Sequence, residues 1–362
     1  MSDIKFKLAA GTNVGLIRQN NEDNFVVSSD LGTSEWLIPQ VGDYADLGVY
    51  GALLVVADGM GGANAGEVAS AIAVETIQQE FTVENLSNCI NSDKSIEEFM
   101  KAVVKKADLN ILNKSKEDKS TQGMGTTIVI AWLLDKKAYI CWCGDSRCYV
   151  FNQQKGLLQL SKDHSYVQEL VDKGELDAEL MHDHPLSNII TRCLGDVERR
   201  ANPETRIYQL HNNDCIMLCS DGLCSIVYDH DILDKMIAYH DDPVECKNEL
   251  ISAALNNGGY DNVTVALANI IMDEDEPMDE NSNAEEESDN QAKENVLSTT
   301  IRNSPTRHKK THFLLWLFFL LMLAAGTYIG LADSCEPVRR QIIQSVNSLI
   351  IKIKNPASNA SD

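Results

Sequence analysis

Positive charge is scarce in this sequence beside negative charge. Against 54 Asp and Glu stand only 31 Lys and Arg in 362 residues, a net charge of −23. That shortage excludes a broad basic face for nucleic acid, because phosphate backbones are bound through clustered Lys and Arg. The opening stretch "MSDIKFKLAAGTNVG" holds no apolar core long enough for a secretory signal. CxxC pairs with the histidines or further pairs of a zinc site are missing too, although the chain has ten cysteines. Cys141 and Cys143 flank Trp142, and Cys215, Cys219 and Cys224 lie near one another without regular spacing. Such cysteines read as reduced, small core residues of a cytosolic domain.

Much of the acidic excess is local. Residues 273–294, "DEDEPMDENSNAEEESDNQAKE", carry eleven acids and one lysine. Before this stretch, up to about residue 270, strand and helix signals alternate densely. "TTIVIAWLLD" and "KKAYICWCGDSRCYVF" read as consecutive strands around an Asp-Lys-Lys turn, and "CIMLCSDG" and "VTVALANI" as further short strands. Helical patterns cover 64–81, 95–115 and 243–257. Strands that follow one another without an intervening helix predict antiparallel sheets with helices packed outside, not a doubly wound parallel sheet.

The organisation expected is therefore a folded domain over 1–271, an acidic disordered linker with a basic end over 272–311, a membrane helix over 312–331 and a short tail over 332–362. The linker is expected from its charge density and lack of aromatics. The helix rests on "FLLWLFFLLMLAAGTYIGL", residues 313–331, nineteen residues without a charge, about the length that spans a bilayer core. Arg302, Arg307, Lys309 and Lys310 precede it, against Arg339 and Arg340 beyond it. The positive-inside rule then places the large domain in the cytoplasm, on a single-pass protein of the inner membrane. In the tail, Ile342, Val346, Leu349, Ile350 and Ile353 recur at helical spacing, which fits either an interfacial amphipathic helix or a docked end.

Five stretches set acids where an apolar strand meets a turn: "RQNNEDN" (18–24), "VVADGMGG" (55–62), "CGDSR" (143–147), "CSDGL" (219–223) and "GGYDNVTV" (258–265). Any one of them alone reads as a turn or a solvated loop, since Asp-Gly is an ordinary turn former. Carboxylates brought together at strand ends need positive charge between them. A set of hard oxygen ligands points to Mg²⁺ or Mn²⁺, not zinc. The glycines permit close approach, so that a carbonyl such as that of Gly59 can join the ligands.

With "MGTT" (124–127) and "KDHS" (162–165), these motifs, in this order, resemble those of the metal-dependent serine/threonine protein phosphatases of the phosphatase 2C family. The likeness covers residues 5–271. It is closest to the bacterial branch, whose flap beside the active site residues 162–195 resemble. The resemblance implies an α+β fold, two packed antiparallel sheets flanked by helices in four α-β-β-α layers. It implies that Asp58 bridges two cations, Mn²⁺ or Mg²⁺, and that Gly59 offers its carbonyl. Asp23, with Glu22 beside it, would hold one ion, and Asp221 and Asp261 would complete the shell of the other. Asp145 with Asp221 would take a third, weaker ion, and Arg18 would grip the phosphate. The implied activity is hydrolysis of phosphoserine and phosphothreonine in proteins by a water activated between two cations, in opposition to a Ser/Thr kinase. The alternative is a membrane-tethered pseudophosphatase that serves as a scaffold or sensor. Where some family members carry a histidine after Asp-Gly, this chain has Met60, and His164 is not an obvious substitute as proton donor. His182 and His184 in the flap read as structural or substrate-facing.

Overall fold

The computed structural model describes residues 4–33, 36, 44–61 and 65–272. The chain divides into two units, Met1–Met278 and Asp279–Asp362, and every described residue belongs to the first. The expected linker, the membrane span at 313–331 and the tail lie outside the described residues. Among those residues, no helix is long and apolar enough to cross a membrane.

Strands β1 (Ile4–Asn13), β2 (Asp23–Ser28), β3 (Ala45–Asp46), β4 (Ala52–Met60), β5 (Gly125–Thr126) and β6 (Ile128–Leu134) are followed by β7 (Lys137–Cys143), β8 (Arg147–Asn152), β9 (Gly156–Gln159), β10 (Glu204–Gln209), β11 (Cys215–Cys219) and β12 (Val263–Met272). The helices are α1 (Ala65–Glu80), α2 (Val83–Cys89), α3 (Asp93–Glu117), α4 (Tyr166–Asp172), α5 (Asp221–Cys224), α6 (Asp229–Tyr239) and α7 (Pro243–Asn256). One sheet has the order β3-β1-β12-β11-β8-β9, the other β10-β7-β6-β4-β2, and β5 pairs with β4. All these ladders are antiparallel. The two-sheet α+β arrangement agrees with the expectation from consecutive strand signals.

Why the central strands read as unbroken apolar runs is visible in β4. Ala52, Leu54 and Val56 join a core shared with Phe6, Ile140, Leu218 and Ile270 from both sheets. Leu53, Val55 and Ala57 face the other way, into a core with Ala69, Ile77, Met100 and Ile111 of α1 and α3. A third core packs Met217, Val265 and Leu267 against Ile232, Met236 and Leu250 of α6 and α7. Side chains alternate across a strand, so a strand covered on both faces is apolar at every position. The cysteines follow the same rule: Cys141 and Cys143 face the first helical layer, and Cys215 and Cys219 the second. All nine described cysteines are free.

The expected helices at 64–81, 95–115 and 243–257 appear as α1, α3 and α7. The second of these, α3, starts two residues earlier than the pattern predicts, because Ser92 and Ser95 close a reciprocal capping box ahead of it. The Asp-Lys-Lys turn is a two-residue hairpin, with Leu134 paired to Lys137 and Asp135 at φ 52°. The pattern reading passed over β1, although it forms a ten-pair ladder with β12. Its alternation of Ile4, Phe6 and Leu8 inward with Lys5 outward is the half-buried strand signal.

Candidate active site

Each acid-bearing motif ends a strand or opens the element after it, and the strand register brings the acids together. Asp23 begins β2 and Asp58 lies near the end of β4, directly opposite each other in the ladder. Asp145 sits in the turn from β7 to β8, Asp221 opens α5 after β11, and Asp261 precedes β12. Burial first, then repulsion from Asp221, Asp23 and Asp145, holds the Asp58 carboxyl well above the usual carboxylate range. Burial likewise raises Asp145, with Asp221 and Asp163 as the strongest repelling charges. It raises Asp221 too, partly offset by the side-chain hydrogen bond between Asp221 and Asp58. Asp23 is pushed up to about 7, again mainly by burial.

The backbone around these acids is held tightly. The Asp58 carbonyl accepts from Thr127 N–H (2.9 Å) and Thr126 Oγ1 (2.8 Å), and Asp58 N–H donates to Thr127 Oγ1 (3.1 Å). Thr127 Oγ1 also pairs with Ser146 Oγ at 2.7 Å, which joins "MGTT" to the Asp145 turn. One Asp23 oxygen, Oδ2, accepts from Ser220 Oγ (2.7 Å) and Thr264 Oγ1 (2.6 Å). Asn262 spans the gap between two motifs: its Nδ2 donates to the carbonyls of Val14 (2.9 Å) and Asn20 (3.0 Å), and its Oδ1 accepts from Glu22 N–H (2.7 Å). The loop carrying Arg18 and Glu22 is thereby fixed to the loop carrying Asp261.

Two glycines are present for close approach. A Cβ on Gly59 would lie 2.3 Å from the Gly66 carbonyl and 2.5 Å from that of Glu22. A Cβ on Gly222 would lie 1.8 Å from the Asn262 carbonyl, so the glycine of "SDG" serves packing against the Asp261 loop and not merely a turn.

The donors fit a hard divalent cation. Asp23 Oδ1 and Asp145 Oδ1 are buried without a hydrogen-bond partner, and a buried, unpaired carboxylate oxygen is costly unless a cation meets it. Among the described residues no group of three or more His, Cys, Asp or Glu side chains is arranged to grip a cation unaided. Carbonyl or solvent oxygens would have to complete any shell, as expected of Gly59. Asp261 is at present engaged with Arg18, whose Nη2 donates to its Oδ2 at 2.7 Å. Glu22 reaches the cluster, but its carboxylate accepts from Gly66 N–H at the start of α1.

The flap segment is closed on itself by the bridge from Ser165 to Ile190 and joined to β5 by the bridge from Thr126 to Leu194. His182 stacks on Tyr228 with ring centroids 3.9 Å apart, and His184 Nδ1 accepts from Leu186 N–H. Sequence reading missed a further anchor of the flap, Asp108 of α3. Only 1 % exposed, it accepts from Gly195 N–H (2.9 Å) and from Arg200 Nε (2.8 Å). An acid on the apolar face of an amphipathic helix was the available signal. Asp108→Ala leaves a buried N–H unpaired and is expected to lower stability by about 1–3 kcal/mol. The check is the urea midpoint at constant slope; an unchanged midpoint would rule the anchor out.

The protein phosphatase 2C family model matches residues 43–267. The serine/threonine phosphatase stp of Listeria monocytogenes is 32% identical over 256 residues, 71% of this chain and 92% of that protein. The serine/threonine protein phosphatase PstP of Mycobacterium tuberculosis is 30% identical over 265 residues, 73% of this chain and 45% of that protein. Among solved structures, a bacterial serine phosphatase is similar with a TM-score of 0.63 at 31% identity, covering 75% of this chain and 100% of that one. The catalytic domain of PstP in complex with two manganese ions follows at 0.58 and 29%, with 74% and 99% covered. With its two sheets, its ordered motifs and a buried acidic edge suited to such ions, this chain belongs to the protein phosphatase 2C family.

Proposed function

We propose that the chain is a metal-dependent phosphatase that removes phosphate from phosphoserine and phosphothreonine in proteins. The observation that carries this reading is the set of carboxylates gathered at neighbouring strand ends of the two sheets, two with buried, orphaned oxygens, beside an exposed arginine. Asp58, Asp23, Asp221, Asp261 and the Gly59 carbonyl would hold two Mn²⁺ or Mg²⁺ ions, with Asp145 and Asp221 for a weaker third and Glu22 in support. Such ions offset the charge of the phosphoryl group and bring the pKa of a water down to near neutrality for attack on phosphorus. Arg18 orients the substrate: its pair with Asp261 engages Nη2, and the rest of its planar fork suits phosphate oxygens. Thr126, Thr127 and Asn262 keep these groups at fixed spacing, and positioning is most of what phosphoryl transfer asks of a protein.

The proposal extends to location and partner. The uncharged run at 313–331 and the basic residues before it support an inner-membrane anchor with the catalytic domain in the cytoplasm. Tethering raises the local concentration of phosphoproteins at the membrane, where a Ser/Thr kinase would be the opposing enzyme.

The test uses the full-length chain and a phosphothreonine peptide, with Mn²⁺, with Mg²⁺ and with excess chelator. Release of phosphate that needs the metal and stops with chelator is expected. A folded, metal-loaded protein that releases none would instead establish the scaffold reading.

A further inference from the structure

Three large apolar side chains beside the site face solvent although the backbone beneath them is tightly held. Leu16, Ile17 and Tyr260 are each 64–65 % exposed. Leu16 N–H donates to the Gly259 carbonyl at 2.7 Å. Gly15, at φ +80°, lies so close to the other loop that a Cβ would stand 2.2 Å from the Asp261 carbonyl. Asn262 ties the same two loops through the carbonyls of Val14 and Asn20. The three side chains are therefore presented on one rigid wall.

They also form one patch. A Cβ on Gly259 would meet Leu16 Cγ at 2.9 Å, and one on Gly258 would meet the Tyr260 ring at 2.5 Å. Leu16 and Tyr260 thus lie against adjacent glycines of one loop, with Ile17 next to Leu16 along the chain. Apolar residues scattered singly over a surface need no account, whereas a contiguous patch marks a contact site. This one is continuous with the expected phosphate position: Arg18 follows Ile17, Asp261 follows Tyr260, and the two are paired at 2.7 Å. At such exposure the three side chains offer on the order of 350 Å², against about 800 Å² per partner in a stable protein–protein interface. That is less than half of what a second copy of this chain would need, and enough for one or two side chains of a peptide.

We propose that Leu16, Ile17 and Tyr260 form a docking surface for an apolar side chain of the phosphoprotein substrate, two residues before or after the phosphorylated serine or threonine. This rests on the reading of Arg18 as the phosphate-binding residue. The spacing follows from chain geometry. Leu16 and Arg18 are two residues apart, at most about 7 Å, and an extended peptide covers that distance in about two residues. Charge favours the same partner, because Asp261, Glu22 and Asp221 surround Arg18 and oppose an acidic flank.

The test gives the full-length chain, in saturating Mn²⁺, phosphothreonine peptides of one sequence that carry Leu, Ala or Asp two residues before or after the phosphothreonine. The wild type is expected to favour Leu over Ala on one side by about 4- to 12-fold in kcat/KM, the effect of taking about half of an apolar side chain out of water. Asp is expected to fall below Ala. Ile17→Ser and Tyr260→Ser each bring the Leu preference toward unity, and Tyr260→Phe, which keeps the ring, retains it. A substitution that merely disturbed the site would slow all the peptides together and leave the ratio as it was. A wild type without a Leu preference on either side, or a preference that survives both serine variants, would overturn the docking surface. So would a wild-type dimer in light scattering that Ile17→Ser converts to monomer, since the patch would then join two copies. A wild type that releases no phosphate from any peptide counts against the proposed activity. The preference is then read from fluorescence anisotropy of the same peptides, labelled with fluorescein, as they bind.

Discussion

Asp58→Asn is expected to abolish phosphate release and, at the same time, to raise the melting temperature of the chelated protein. The two effects have one cause. Asp58 faces Asp23 across the β2–β4 ladder, and its ionised form is opposed by burial and by Asp221, Asp23 and Asp145. Without cations, an amide of the same shape removes a buried, repelled acid. Relief of about 1–3 kcal/mol is the ordinary scale for a buried polar group freed of its penalty. At about 2–4 °C per kcal/mol for a domain of this size, the melting temperature rises by roughly 2–12 °C. With Mn²⁺ the order reverses, because a ligand at a hundred times its dissociation constant adds about 2.7 kcal/mol to the protein that binds it. Activity falls by more than about 100-fold, the upper range for residues that only orient a ligand. Thermal melts in chelator and in Mn²⁺, beside a phosphate-release assay, decide the matter. A chelated variant no more stable than wild type would show that the carboxylates do not strain the metal-free fold.

The chelated protein is also expected to gain stability as pH falls from about 8 to 6.5, the reverse of the usual carboxylate behaviour. Asp23 titrates at about 7 in the fold against 3.8 ordinarily. Between those values the folded chain keeps a proton that the unfolded chain has lost. Stability then decreases as pH rises through the window and returns on acidification. Asp58 and Asp145, both raised mainly by burial, add slope of the same sign. Each such group contributes on the order of 1 kcal/mol per pH unit while it titrates. His164 opposes them lower down, because burial lowers its pKa from 6.5 and the unfolded chain is then the better proton acceptor. The slope is therefore cleanest above pH 6.5. Saturating Mn²⁺ should invert it, since cation binding requires ionised carboxylates and weakens in acid. Melting temperature against pH, with chelator and with Mn²⁺ at constant ionic strength, is the measurement. A chelated protein whose melting point is flat or falls on acidification would refute the raised pKa values of these buried acids.

By itself the sequence determined the composition of the site and the kind of fold that carries it. Runs such as "ALLVVA" are legible as doubly covered strands because side chains alternate faces, so burial on both sides leaves no polar position. Acids at the ends of such runs, with glycine beside them, are legible as oxygen ligands because only a cation makes their convergence tolerable. Local chemistry also decides the Asp135 hairpin and the ends of α3 and α7, whose caps lie within a few residues of what they cap. Only the tertiary structure decided which groups meet. That Asp23 stands opposite Asp58 is a matter of register, and a slip of one residue would turn every side chain of the strand to the other face. That Asn262 fastens the Arg18 loop, that Gly222 makes room for the Asn262 carbonyl, and that Asp108 anchors the flap are contacts between segments far apart in the chain. His164 shows the difference most plainly. In the sequence it is one histidine beside an acid; in the fold its two ring nitrogens face different segments, and that division of partners exists only once the sheets have closed.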